Sequence, residues 1–208
     1  MAKIFLSGGG TKEASYQLDK LFYESIPNNK KMLYIPIAME EERHPYPDCF
    51  KWIKDIFKQF NYDSIEMLTD LNLVGNTLKK FGAVYIGGGN SFKLMHELRS
   101  SGFDVKLKKY IQSGGIVYGG SAGAIILGKS IATSTDKNLI KLKDLDGLNL
   151  VNGYSVFCHY DPKDNKIISK LSKMKKIIAI PEGSGAVVDN NHIRKIGMGI
   201  CFFPKLTN

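Results

Sequence analysis

Nowhere in the 208-residue chain does an apolar run extend beyond a few positions. The roughly 20 consecutive apolar residues of a bilayer-spanning helix are therefore missing, and a membrane is not an expected partner. The opening stretch, MAKIFLSGGG, has one lysine and a short apolar run but neither a secretory hydrophobic region nor a cleavage site, so it is expected to form a first strand. Cysteine is scarce. Cys49, Cys158 and Cys201 are odd in number, far apart and share no metal-ligand spacing, which leaves no expected metal and points to a reduced, cytoplasmic protein. Acidic residues are outnumbered: 20 Asp and Glu face 29 Lys and Arg, for a net charge of +9. The lysines come in small groups, such as Lys30-Lys31, Lys79-Lys80 and Lys173/Lys175/Lys176. Short groups of this kind are usually solvated helix faces and loop ends. None has the density or aromatic interleaving of a nucleic-acid groove, so nucleic acid is not an expected partner. The weaker functional reading is a positive field that attracts acidic small molecules. Repeats, low-complexity segments and linkers are also absent. With 43% hydrophobic residues, the whole of 1–208 is expected to be one domain with a full core.

What is present is an alternation of short apolar runs and longer amphipathic stretches. Strands are expected at Lys3–Ser7, Met32–Ile37, Ser64–Leu68, Ala83–Ile86, Ile116–Tyr118, Ser155–Cys158 and Lys176–Ile180. Several are nearly continuous in apolar residues, as strands buried on both faces of a parallel sheet are. Helices are expected at Lys12–Ser25, Pro47–Phe60, Ser91–Ser100, Asp104–Ser113, Ala122–Leu127 and Asn165–Met174. In Pro47–Phe60, the residues Phe50, Ile53, Ile56, Phe57 and Phe60 recur at helical spacing and mark a core-facing stripe. The alternation predicts an α/β fold, a mostly parallel sheet with helices on both faces. Two short runs flanking Asn190-Asn191 predict a C-terminal β-hairpin.

Function in such sheets gathers at the carboxyl ends of the strands. Four of these ends carry unusual residues: Gly87-Gly88-Gly89-Asn90, Gly120-Ser121-Ala122-Gly123, His159-Tyr160-Asp161 and Pro181-Glu182-Gly183. Ser121 lies between an expected strand and an expected helix, among small residues, and meets the pattern of a nucleophile elbow. A tight turn with the nucleophile at its apex tolerates only small neighbours, and the amide of Ala122 is a natural oxyanion donor. The alternative is a glycine-rich turn whose serine caps the helix. A phosphate loop is disfavoured, because there is neither a lysine at the Walker position nor a G-x-G-x-x-G. An amide from Gly87–Gly89 could supply a second oxyanion donor, since glycines let the backbone approach a ligand closely. Of the four histidines, His44, His96, His159 and His192, only His159 ends a strand, which makes it the best base for Ser121. Two acids compete to orient it: Glu182, directly after a strand, and Asp136, in the Thr-rich segment after the serine. Asp161 is a weaker third.

Taken together, Ile86-Gly87-Gly88-Gly89-Asn90-Ser91, Gly120-Ser121-Ala122-Gly123-Ala124, the histidine after a strand and Pro181-Glu182-Gly183 resemble the S51 serine peptidases, a family that includes peptidase E and, more distantly, cyanophycinase. The resemblance spans nearly the whole chain. It implies a single α/β domain related to class I glutamine amidotransferases, Ser121 as nucleophile and His159 as base. The acid is Glu182 or Asp136, and Gly88 or Gly89 with Ala122 supply the oxyanion donors. Peptidase E has a longer segment between the histidine and the P-E-G strand; here six residues and one helix fill it. The reading is therefore a serine exopeptidase or dipeptidase acting on small peptides through an acyl-enzyme. N-terminal aspartate is the family's preference. An esterase or amidase on the same triad, or a non-catalytic binding protein, is the rival reading. No metal or organic cofactor is required, the partner is a small peptide substrate, and a homodimer is left open.

Overall fold

The computed structural model describes residues 2–73, 78–189 and 192–204. The strands are β1 (Lys3–Ser7), β2 (Met32–Ile35), β3 (Ile65–Met67), β4 (Ala83–Ile86), β5 (Ile116–Gly120), β6 (Tyr154–Cys158), β7 (Lys176–Ile180), β8 (Gly185–Asp189), β9 (His192–Ile196) and β10 (Cys201–Phe203). The helices are α1 (Lys12–Tyr23), α2 (Tyr46–Lys58), α3 (Ser91–Ser100), α4 (Phe103–Gln112), α5 (Ala122–Leu127) and α6 (Asn165–Ser172). Every strand and helix expected from the pattern is present, with ends displaced by a few residues. Asn190-Asn191, the expected turn, lies outside the described residues, but β8 and β9 pair antiparallel on either side of it, Asp189 opposite His192. No helix among the described residues is long and apolar enough to cross a membrane.

The main sheet has seven strands in the order β3-β2-β4-β5-β1-β8-β9. Strands β3, β2, β4, β5 and β1 run parallel, and β8 and β9 close the edge antiparallel. Because successive side chains of a strand point to opposite faces, the sheet sorts its apolar residues by parity. Phe5, Tyr34, Tyr85 and Tyr118 pack on one face with Leu18 and Phe22 of α1 and Ile53 and Phe57 of α2. Ile4, Leu33, Ile86 and Val117 pack on the other with α3, α4 and α5.

Strands β6 and β7 do not join that sheet. With β10 they form a second, three-stranded sheet in the order β10-β7-β6. Its inner face, including Val156, Cys158, Ile178 and Ile180, shares a core with α5, while Phe157, Ile177 and Ala179 face Ile168 of α6. The short α5, buried at all six positions, is thus a wedge between two sheets. The three-residue β10 and the division into two sheets are additions to what the pattern announced. Periodicity marks a strand but not the sheet it joins.

Candidate active site

The turn from β5 into α5 is as tight as its composition suggests. Ser121 adopts φ 49° and ψ −109°, a conformation rarely taken by L-residues. A Cβ on Gly123 would stand 2.4 Å from the Ile86 carbonyl oxygen, so only glycine lets the first turn of α5 approach β4. Ala122 begins α5, and a helix leaves the first of its N–H groups without an internal acceptor. Across the turn, a Cβ on Gly88 would lie 3.3 Å from Ser121 Cβ and 3.9 Å from its Oγ, so this glycine brings the β4 loop against the hydroxyl. Gly89 faces elsewhere: at φ 130°, it packs against the backbone of Ala38 and Met39.

Ser121 Oγ lies 2.7 Å from His159 Nε2, and His159 Nδ1 lies 2.8 Å from Glu182 Oε1. The three side chains come from the ends of β5, β6 and β7, and so from both sheets. A hydroxyl held against an imidazole whose far nitrogen faces a carboxylate has the arrangement that activates an alcohol as a nucleophile. Asp136 is placed differently. Its Oδ2 accepts from the Ser91 amide and the Ser134 hydroxyl, both at 2.8 Å, at the start of α3. It lines the same cavity but does not orient the histidine. Asp161 is a helix cap, accepting from the Lys163 amide at 3.0 Å in a capping box that leads into α6.

The backbone behind these side chains is tied to a single loop. Three successive carbonyls from the end of β1 each accept one amide: Ser7 from Ser121 at 3.1 Å, Gly8 from His159 at 3.0 Å and Gly9 from Gly183 at 2.8 Å. His159 has φ 55°, and Gly9 has φ 96° directly beneath its ring. A Cβ on Gly9 would stand 2.4 Å from His159 Cε1. Residues 7–9 were not singled out in the sequence. The signal available was a second run of three glycines after a strand, matching the one at Gly87–Gly89. Cys158, just before the histidine, lies 3.5 Å through Sγ from the carbonyls of Ser7 and Ser121. Burial pushes its thiol far up, so it packs as a neutral group.

From Ser121 and His159, a cavity of about 620 Å³ runs down between α1 and α2 to the face of the sheet. Met39, Trp52 and Ile56 contribute apolar walls, and Tyr34, Tyr85 and Tyr118 form the floor. Behind the floor, Asp19 is wholly buried; its Oδ2 accepts from Ser15 Oγ at 2.6 Å and its Oδ1 from Tyr118 OH at 2.8 Å. Burial raises this carboxyl to about 6, while the bonds from Ser15 and Tyr118 pull the other way. Among the described residues, no group of three or more His, Cys, Asp or Glu is arranged to hold a metal ion.

The sequence model of peptidase family S51 matches residues 4–196. An uncharacterized peptidase of Listeria innocua is 29% identical over 188 residues, covering 85% of this chain and 90% of the relative. Peptidase E of Nostoc is 26% identical over 182 residues, covering 81% of this chain and 73% of the relative. Among solved structures, a Listeria monocytogenes chain described as a candidate peptidase E superposes with a TM-score of 0.76 at 24% identity, over 96% of this chain and 100% of that one. A peptidase from an acI-B1 actinobacterium gives 0.73 at 21% identity, over 99% and 92%. The two structures show a shared fold. The fold and the family match together define a peptidase, a hydrolase of peptide bonds. The chain belongs to peptidase family S51.

Proposed function

We propose that this chain is a serine peptidase of small peptides, a dipeptidase or exopeptidase that works through an acyl-enzyme on Ser121. The observation that carries the reading is the unbroken line Ser121 Oγ–His159–Glu182, with links of 2.7 and 2.8 Å, at a strained strand-to-helix turn. His159 takes the hydroxyl proton as Oγ attacks the scissile carbonyl carbon. The carbonyl oxygen, now negative, is held by the Ala122 amide and an amide of the β4 loop, Gly88 or Gly89. Glu182 holds the ring in the required tautomer and stabilises the imidazolium. His159 then gives the proton to the departing amine, which breaks the C–N bond. Water, deprotonated by the same ring, hydrolyses the ester and frees Ser121. The free state of all three cysteines supports the reduced, cytoplasmic setting expected above.

The test is a screen of X-Ala and Asp-X dipeptides, with a p-nitrophenyl ester as control, combined with labelling by a fluorophosphonate. The expected result is dipeptide hydrolysis, phosphonate mass on the peptide holding Ser121, and a loss on the order of 10⁶ in kcat for Ser121→Ala with the fold retained. Hydrolysis of the ester alone would move the assignment to an esterase. Undiminished hydrolysis by purified Ser121→Ala would remove the serine from the chemistry.

A further inference from the structure

The cavity floor is polar where its walls are apolar, and one carboxylate stands behind it. Tyr85 OH would lie 3.5 Å from a Cβ on Gly120, the residue before Ser121, and Tyr34 OH would lie 3.3 Å from one on Gly87. These hydroxyls are therefore directly beneath the two loops that flank the serine, within reach of a short side chain. Tyr118 donates its hydrogen to Asp19, and its ring stacks on Tyr85 at 4.3 Å between centroids. Since its hydrogen is committed to Asp19, the Tyr118 oxygen can only accept, and the hydroxyls of Ser7 and Tyr85 stand beside it to donate; with its own hydrogen turned to Tyr118, the Tyr85 oxygen has lone pairs to offer the cavity. The Ser15 hydroxyl also points to Asp19. Among the described residues, no lysine or arginine belongs to this floor. Arg43, which also lines the cavity, is solvent-exposed at its mouth and lies 3.4 Å from Glu40.

We infer that this floor is the subsite for the substrate side chain on the acyl side of the scissile bond, and that Asp19 makes it select a hydrogen-bond donor, such as a carboxamide or hydroxyl, over a carboxylate of the same size. The assignment rests on the reading of Ser121 as nucleophile, which fixes where the scissile carbonyl lies. A carboxamide gives its N–H to the acceptor oxygens that Asp19 has polarised. A carboxylate would enter a poorly solvated site as a second negative charge, with no cation in the floor to offset it. A site built to receive a hydrogen bond rejects an isostere that cannot supply it.

Asp19 is the buried carboxyl beneath this floor, and burial raises it to about 6. Ser15 from its own helix, Tyr118 from β5 and Tyr85 from β4 face it or its partner, with Tyr34 from β2 and Cys49 from α2 further along. Burial raises the tyrosines and the cysteine, so all stay neutral where Asp19 ionises, at about 6. Lys3 and Asp189 lie at the far ends of β1 and β8, in a separate hollow. Arg43, His44, Asp48, Asp136 and His159 line the cavity nearer its opening.

The test uses Asn-Leu and Asp-Leu, which are nearly identical in shape. Their binding to Ser121→Ala is measured by calorimetry at pH 8 and pH 5, and their kcat/KM is measured on the wild-type chain. Binding at pH 8 is expected to favour Asn-Leu by about tenfold and by no less than threefold, and the ratio should shrink at pH 5. Asp19→Asn in the same background should bring the two peptides within twofold at both pH values. Asp19→Ser, also neutral, serves if the first variant melts early. Where neither folds, the ratio at pH 8 decides. A ratio below three, a ratio that survives neutral Asp19, or a preference for Asp-Leu that Arg43→Ala abolishes would each overturn the inference. Because binding is read in a protein without the serine, a wild-type chain that binds selectively but cleaves neither peptide counts against the peptidase reading and leaves standing the selectivity of the floor for a hydrogen-bond donor.

Discussion

Two carboxylates near one histidine have different work to do, and mutation separates them. Glu182→Gln should lower kcat by about 10⁴ with little change in melting temperature, because the histidine is then held in the wrong tautomer. Asp136→Asn should keep kcat within tenfold and act on KM, since Asp136 fastens the start of α3 beside the cavity. Steady-state constants for both variants check this. A collapse confined to Asp136→Asn would reverse the roles. The sequence offered both acids, Glu182 after a strand and Asp136 after the serine, but could not say which reaches Nδ1. That depends on β7 lying beside β6, a pairing no local pattern encodes. Asp19 was illegible for another reason: within KEASYQLDKLFY it looks like an ordinary polar position on a solvated helix face. Its raised folded-state pKa has a defined sign. Stability from the proton it retains is fully present below the unfolded value near 3.8 and is lost as pH rises through about 6. That difference is worth about 3 kcal/mol. Melting curves should show the wild type losing stability relative to Asp19→Asn between pH 4 and pH 6.5, then running parallel above. Parallel curves throughout would mean that Asp19 ionises normally.

At the scale of elements, the strand-to-helix turn and the β1 loop carry most of the geometry. Ser121, with small residues around it, was readable because the turn demands those residues in that order. The bracing by Ser7, Gly8 and Gly9 was not readable, because it uses carbonyl oxygens, which every residue has. It can still be tested. In Gly9→Ala, a methyl at φ 96° would press into the His159 ring, so the ring must move off the serine. The expected result is a fall in kcat of at least 100-fold with only a modest fall in melting temperature. Gly123→Ala is the contrasting case. Its methyl meets the Ile86 backbone inside the core, and the loss should appear as a melting temperature lowered by several degrees. If Gly9→Ala keeps full activity, the loop does not position the ring.

At the scale of the whole molecule, the site spans a seam. Ser121 rides on the seven-stranded sheet, His159 and Glu182 on the three-stranded one, and α5 lies between them. The α/β class and its helix-covered parallel sheet followed from alternation of pattern, but the seam did not, since β6 and β7 read like the other buried strands. Sub-global opening of the smaller sheet would part the histidine from the serine before the larger core yields. In a urea titration, hydrolysis should therefore fall at a lower concentration than the fluorescence of Trp52, the single tryptophan, which sits on α2 over the larger sheet. Coincident curves would mean that the two sheets open together. The β1 loop bridges this seam with three consecutive carbonyls, and this bears on how such a chain can change over generations. Segments 38 and 23 residues apart take their phase from one short ruler near the N-terminus, not from the lengths of chain between them. Connectors that carry no cavity residue, such as the short stretch between α6 and β7, are therefore free to drift in length without disturbing the chemistry. A single residue gained or lost between Ser7 and Gly9 would put His159 and Glu182 out of step with the serine at once.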